Sequence, residues 1–415
     1  MMRRLPPASL RHPSFAQPMN LFRQASSAHP RLQGLDTLRA LAILLVFATH
    51  YQDFVTGQPT FGWASILGRV GVDLFFVLSG YLIANQIFAG MQKGQVLSLR
   101  NFYARRFLRT LPVFYLVLAA YFLFPAFMGG REPPPLWRFL SFTQNYQLQP
   151  GTAFSHAWSL CVEEQFYLVL PAVVLLGKFM SRWLKSMAWA WLLLFSLVGL
   201  AIWHRAGLWA DYGLEVDGYT RGYYPNIYYA TLARADGLLP GVAIALLKNF
   251  HPKLWRAVQA RGQVLLLSGL LACGLSAWGL LNFYYIEGYG YGRAMTVYGY
   301  SLVSWSFGLL LLAGLCPKSS LARWRVPGAA SLALWSYSIY LTHKAVMFAL
   351  PTFWLDDRQS NTTLLAISLS CLVLGWLLYR LVELPLMNWR DRWVPSSFKA
   401  NEGTEQTSSY SPKPT

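Results

Sequence analysis

The sequence is 415 residues long, 55% hydrophobic and only 13% charged, with 17 Trp, 23 Tyr and 26 Phe. Soluble domains usually carry about a quarter charged residues, so the length does not divide into soluble domains of ordinary size. The net charge is +18, but Lys and Arg sit in short segments between apolar runs rather than on one face, which sets nucleic-acid binding aside.

Residues 1–32 are rich in Pro, Ser, Gln and Arg and hold no long apolar run, so they read as a disordered cytoplasmic tail, not a signal peptide. A transmembrane helix needs roughly 20 mostly apolar residues, and about ten segments qualify. They run over 35–54, 66–88, 111–128, 157–177, 187–203, 231–248, 263–281, 295–315, 329–350 and 363–382. The expected fold is all-α: a polytopic integral membrane protein of about ten transmembrane helices. Lys and Arg gather in the N-terminal tail, 89–110, 178–186, 248–262, 316–328 and from Arg380 onward. The opposite loops hold only Arg131, Arg138, Arg205, Arg221, Arg293 and Arg358, so both termini are expected in the cytoplasm. The aromatic stretch 137–147 reads as a short interfacial or re-entrant helix, and 393–415 as a second disordered tail. Cys161, Cys273, Cys316 and Cys371 lie far apart, in or beside apolar stretches, and suggest neither a disulfide framework nor a metal site.

Ionisable groups inside a bilayer are costly unless paired or facing a wet cavity, so their placement carries the functional signal. In the first span, GLDTLRALAILLVFATHYQDF, Arg39 and His50 are eleven positions apart, about three turns, and share a face. Asp36 is placed to pair with Arg39. The second span carries Arg69 and Asp73 in its outer half and Ser79-Gly80 at mid-span, the latter read as a close-packing contact. In the loop NFYARRFLRTLP, Arg105 and Arg109 are four apart and share a face, with Arg106 beside them, a cluster suited either to phosphate or to anionic lipid. The fourth span begins HAWSLCVEEQFYLVLP, where Glu163 and Glu164 point in different directions and at most one faces the His50 cavity. The sixth brings Arg234 and Asp236, and the ninth His343 and Lys344, of which Lys344 is expected to snorkel to the interface. Arg380 and Glu383 read as a structural pair. Five spans thus place polar groups at one depth, which implies a water-accessible cavity opening outward.

The segments LDTLRALAILLVFATH, GRVGVDLFFVLSGYLI, NFYARRFLRTLPVFY, HAWSLCVEEQFYLVLP, RADGLLPGVAIAL, SYSIYLTHKAV and YRLVELPL, in this order, resemble the membrane acyltransferase-3 family. This family includes bacterial O-antigen and exopolysaccharide O-acetyltransferases. The resemblance implies a membrane domain over 33–392 in the inner (plasma) membrane. It also implies cytoplasmic acyl-CoA as donor, a carbohydrate or lipid-linked glycan as acceptor, and no metal. The family's first-helix arginine and histidine correspond to Arg39 and His50, its paired arginines to Arg106 and Arg109, and its Trp-Ser-Leu…Glu motif to Trp158, Ser159, Leu160 and Glu163. Phe75, Phe76, Ser79 and Gly80 match its Phe-Phe…Ser-Gly motif. Many members carry a further periplasmic esterase-like domain, so any second catalytic step is expected to need another protein.

Acyl transfer from a thioester to a hydroxyl needs a base and stabilisation of the oxyanion. An imidazole, with an ordinary pKa of about 6.5, suits the first task. His50 is assigned as base, with Glu163 or Asp73 to orient it. Arg39, Arg105, Arg106 and Arg109 are assigned to the phosphates of the coenzyme. An acyl-histidine intermediate stays open as an alternative. Two other classes fit the same polar groups: a proton-coupled transporter or polysaccharide flippase, and a non-enzymatic membrane sensor or scaffold.

Overall fold

In hydrocarbon every backbone N–H and C=O must be satisfied within the chain, so long apolar segments become helices. The computed structural model describes residues 32–180 and 187–399, and these are predominantly helical. The expected tails at 1–31 and 400–415 lie outside the described residues.

Eight helices among the described residues are long and apolar enough to cross a bilayer. They are α1 (Gln33–Thr56), α2 (Trp63–Gln92), α3 (Leu99–Leu123), α4 (Ser155–Phe179) and α5 (Ala188–Tyr212) in the first half, and α7 (Gly262–Phe283), α8 (Met295–Leu315) and α10 (Asn361–Trp393) in the second. The other two segments expected to span are helical but more polar. One is α6 (231–250), broken into Thr231–Arg234, a 3-10 turn Ala235–Leu238 and Leu239–Phe250, with Pro240 opening the last piece. It carries Arg234, Asp236 and Lys248 within a single span's length. The other is α9 (Ala329–Phe353), continuous but diluted by Ser, Tyr and Thr as well as His343 and Lys344.

Burial sorts these helices into a centre and a rim. The apolar windows of α2 and α8 are 67% and 72% buried, against 11% in α7 and 17% in α10. The polar α6 and α9 belong to the centre, where Arg234, Asp236, His343 and Lys344 are all buried. There a helix needs partners rather than apolarity. Leu239–Phe250 of α6 packs along α2, and α9 lies between α1 and α10. The α2–α6 approach depends on Gly80: a Cβ there would come 2.0 Å from the Leu238 carbonyl oxygen at the break in α6. Gly80 is therefore the close-packing contact expected of the Ser-Gly pair.

Two buried ion pairs fix the break in α6. Arg234 Nη2 donates to Asp73 Oδ1 at 2.7 Å. Arg205 of α5, completely buried, donates to Asp236 Oδ1 at 2.9 Å, to the Val297 and Ala233 carbonyls, and to Ser301 Oγ. Arg205 was expected in an outer loop but is an interior strut, because the helix of α5 continues past it to Tyr212.

The stretch 137–147 holds only the short helix Leu136–Leu140, followed by turns in which Phe142 and Gln147 adopt positive φ. Asn145 then anchors the loop to the Tyr229 carbonyl and Thr231 Oγ1. Beyond α10 the chain is not a free tail from 393, as composition suggested. Phe398–Lys399 pairs antiparallel with Val96–Leu97, and the Phe398 ring closes over Gly90. The four cysteines are free.

Candidate active site

Two cavities lie along the face that α1 shares with α9. The first, of about 240 Å³, is lined by His50, Asp53, Arg69, His156 and Lys344, with Trp158 and a group of tyrosines completing the wall. His50 sits where the α-helix of α1 gives way to a π-turn over Gln52–Thr56. Its Nδ1 is 2.6 Å from Nε2 of His343, and the rings are nearly parallel, with centroids 4.9 Å apart. His343 is fully buried, and its Nδ1 points back to the Tyr340 and Ile339 carbonyls at 2.8 and 3.1 Å. His156 meets the His343 ring edge-on at 5.2 Å. Lys344 does not snorkel: its Nζ is buried and donates to Ser155 Oγ at 2.9 Å and to the Thr152 carbonyl at 3.3 Å. The 150s loop supplies acceptors at the depth where a snorkelling chain would seek water.

The second cavity, of about 160 Å³, takes Arg39, Arg106, Arg109, Glu163, Glu164 and Glu383 into its wall. Arg106 stacks on the Tyr167 ring at 3.8 Å and lies 3.6 Å from Glu164. Tyr167 donates to Glu163 Oε2 at 2.9 Å. Arg39 and Arg109 make no ion pair or hydrogen bond with the described residues, which leaves two guanidiniums for an anionic ligand. Glu383, expected to pair with Arg380, instead lines this cavity and accepts from Ser338 Oγ at 3.3 Å.

The cavities meet at Val72 and Tyr340, the residues that line both. Tyr340 donates to the His156 carbonyl at 2.6 Å, so Ser159 Oγ, 2.7 Å away, donates to Tyr340. The Tyr340 ring, held at its tip, thus borders the histidine cavity on one side and the arginine cavity on the other.

Of the residues expected to cooperate, Arg39, Arg106 and Arg109 do converge, and His50 faces a cavity. Three others are placed differently. Arg105 points out of the arginine cavity, donating to the Val394 carbonyl at 2.7 Å and pairing with Asp391. The helical face it shares with Arg109 is overruled by the C-terminal segment packed against it. Glu163 lies among the arginines rather than beside His50. The fourth helix starts in a 3-10 turn at Ser155–Ala157, so Glu163 sits two turns, about 10 Å, below His156. Asp73 is taken up by Arg234. Neither carboxylate hydrogen-bonds His50. Sequence reasoning saw His343 as polar but gave it no task, and it overlooked His156 and Tyr340. The three-residue spacing of Tyr340 and His343 on one helical face was the available signal.

Residues 32–380 match the model of a family described as an acyltransferase domain. The peptidoglycan O-acetyltransferase OatA of Listeria monocytogenes is 33% identical over 52% of this chain and 34% of its own length. A Bacillus subtilis protein, YrhL, provisionally named a peptidoglycan O-acetyltransferase, is 30% identical over 52% of this chain and 33% of its own. A Staphylococcus aureus protein (strain MRSA252), provisionally named an O-acetyltransferase, is 26% identical over 88% of this chain and 60% of its own. The chain therefore spans between about a third and three-fifths of the length of these relatives.

Proposed function

This chain belongs to the acyltransferase-3 family, and from that premise we propose that it is a membrane O-acyltransferase. It moves an acyl group, acetyl first among them, from acyl-CoA to a hydroxyl of a carbohydrate or glycosylated acceptor. Peptidoglycan, named for two relatives, and lipid-linked glycans are acceptors of this class. The observation that carries the reading is the stacking of two unlike cavities on one helix face. One offers guanidiniums with no ion pair among the described residues to phosphate, the other an imidazole, and Tyr340 and Val72 line both.

In this scheme Arg39 and Arg109, with Arg106, hold the coenzyme phosphates, and the thin pantetheine arm carries the thioester past Tyr340. His50 removes the proton from the acceptor hydroxyl as its oxygen attacks the thioester carbonyl. The tetrahedral oxyanion collapses, the C–S bond breaks, and the imidazolium returns the proton to the departing sulfur. Arg69 lines the same cavity as His50, makes only a 3.4 Å hydrogen bond to Tyr224 and no ion pair among the described residues, so it supplies positive charge for the oxyanion. The chain spans the inner (plasma) membrane ten times with both termini cytoplasmic. Arg39 then lies toward the cytoplasm and His50 toward the outside, in keeping with the basic segments that adjoin the arginine cavity.

The test is transfer by the purified protein in lipid nanodiscs supplied with acetyl-CoA and glycan acceptors. His50→Ala is expected to remain folded and lose transfer; transfer at the wild-type rate would remove His50 as base. Passage of the glycan across vesicles without acetylation would point to a transporter instead.

A further inference from the structure

We infer that His343 is a positioning residue that locks His50 in its Nδ1–H tautomer and so presents Nε2 to the cavity as the bare, basic nitrogen. The inference rests on the acyl-transfer reading for its purpose, but on hydrogen-bond geometry for its content.

A chain of donors and acceptors fixes the tautomer of each ring. His343 Nδ1 faces two backbone carbonyl oxygens, Tyr340 at 2.8 Å and Ile339 at 3.1 Å. Carbonyls only accept, so this nitrogen bears a hydrogen. A neutral imidazole has one N–H, so His343 Nε2 is an acceptor. Its partner, 2.6 Å away, is His50 Nδ1, which must therefore be the donor. The proton of His50 is then spoken for, and its Nε2 carries the lone pair. That nitrogen makes no hydrogen bond to the described residues, yet it is absent from the buried polar atoms that lack partners; it is open to the cavity. The opposite arrangement needs a doubly protonated His343, a second buried cation next to Lys344 with no ion pair to either ring among the described residues. The carbonyls that fix His343 belong to its own helix, so the lock is set by the fold of α9 alone.

This assigns to a neutral imidazole the place that a carboxylate holds in a triad. When His50 takes the acceptor's proton on Nε2, its Nδ1–H stays bonded to His343 Nε2. The positive charge stays on the His50 imidazolium, stabilised by the hydrogen bond to His343 Nε2, while His343 gains and loses no proton. When the intermediate collapses, the same Nε2 proton passes to the coenzyme sulfur. That no carboxylate among the described residues pairs with His50 is thereby accounted for: Glu163 and Asp73 are engaged elsewhere, and the orienting partner comes from α9.

The experiment is nitrogen NMR of the full chain in nanodiscs, labelled with 15N-histidine. Among the seven histidines, His50 and His343 are assigned by loss of signals in His50→Gln and His343→Gln. The expected wild-type spectrum shows His50 protonated at Nδ1, unprotonated at Nε2, and coupled through a hydrogen bond to His343 Nε2. A His50 ring protonated at Nε2 overturns the inference. In transfer assays His343→Leu is expected to lower kcat by about 10- to 100-fold, less than the full general-base contribution of about 10²- to 10⁴-fold, with KM for acetyl-CoA unchanged. His343→Gln, whose side-chain oxygen accepts from Nδ1–H, is expected to restore part of the loss. Wild-type kcat in His343→Leu, or a His343→Gln no better than His343→Leu, overturns it. The spectrum reads the ring pair without substrate, so it decides this inference even if acyl transfer itself were disproved.

Discussion

Replacing Tyr340 is expected to convert transfer into hydrolysis. The side chain is 5% exposed, and its hydroxyl joins the His156 carbonyl to Ser159. Tyr340→Phe orphans both partners, at about 1–3 kcal/mol for each buried polar group left unsatisfied. Tyr340→Ala costs about 3–5 kcal/mol, as for other large aromatic truncations, and fuses cavities of about 160 and 240 Å³ into one water-filled passage. Water then reaches the thioester beside a base that no longer needs an acceptor. Free thiol released from acetyl-CoA, followed colorimetrically without glycan, should rise well above wild type in Tyr340→Ala. It should rise less in Tyr340→Phe, whose ring still blocks the passage, and fall back in Tyr340→Ala combined with His50→Ala. Thermal unfolding in nanodiscs checks that each variant is folded. A folded Tyr340→Ala with wild-type thiol release would refute the view that this ring is the partition.

The unpaired guanidiniums make a second prediction. Arg39→Ala and Arg109→Ala each remove a charge-assisted contact worth about 1.5–3 kcal/mol, so the Kd for acetyl-CoA should rise by about 10- to 150-fold. Arg105→Ala, which breaks only the Asp391 and Val394 contacts, should leave it near wild type, as titration calorimetry would show. For topology, a membrane-impermeant maleimide on intact cells should label Gln58→Cys, in the exposed turn after α1, and should reach Lys93→Cys, in the turn after α2, only after permeabilisation. Labelling of both, or the reverse order, would overturn the assigned orientation.

What could be read from the sequence was whatever a single helix encodes. Arg39 and His50 fall on one face because the helical repeat fixes it, and Arg106 and Arg109 share a cavity for the same reason. The polar helices α6 and α9 announced themselves by charges that hydrocarbon would reject. What could not be read depends on where helices begin and on what packs beside them. A 3-10 turn at Ser155–Ala157 sets the depth of Glu163. The return of the chain at Phe398 captures Arg105's neighbourhood, and a loop carbonyl together with Ser155 holds Lys344 inside. The His50–His343 contact joins residues 293 positions apart, a pairing that no local pattern carries.

That separation has a consequence for biogenesis. A nascent chain meets His50 in its first helix, but the imidazole opposite arrives only with the ninth. The arginine cavity closes later still, with Glu383 of the tenth helix in its wall. Synthesis must pass the ninth helix before the histidine half is complete and the tenth before the arginine half is, so partly inserted chains carry the reactive groups without the geometry to use them.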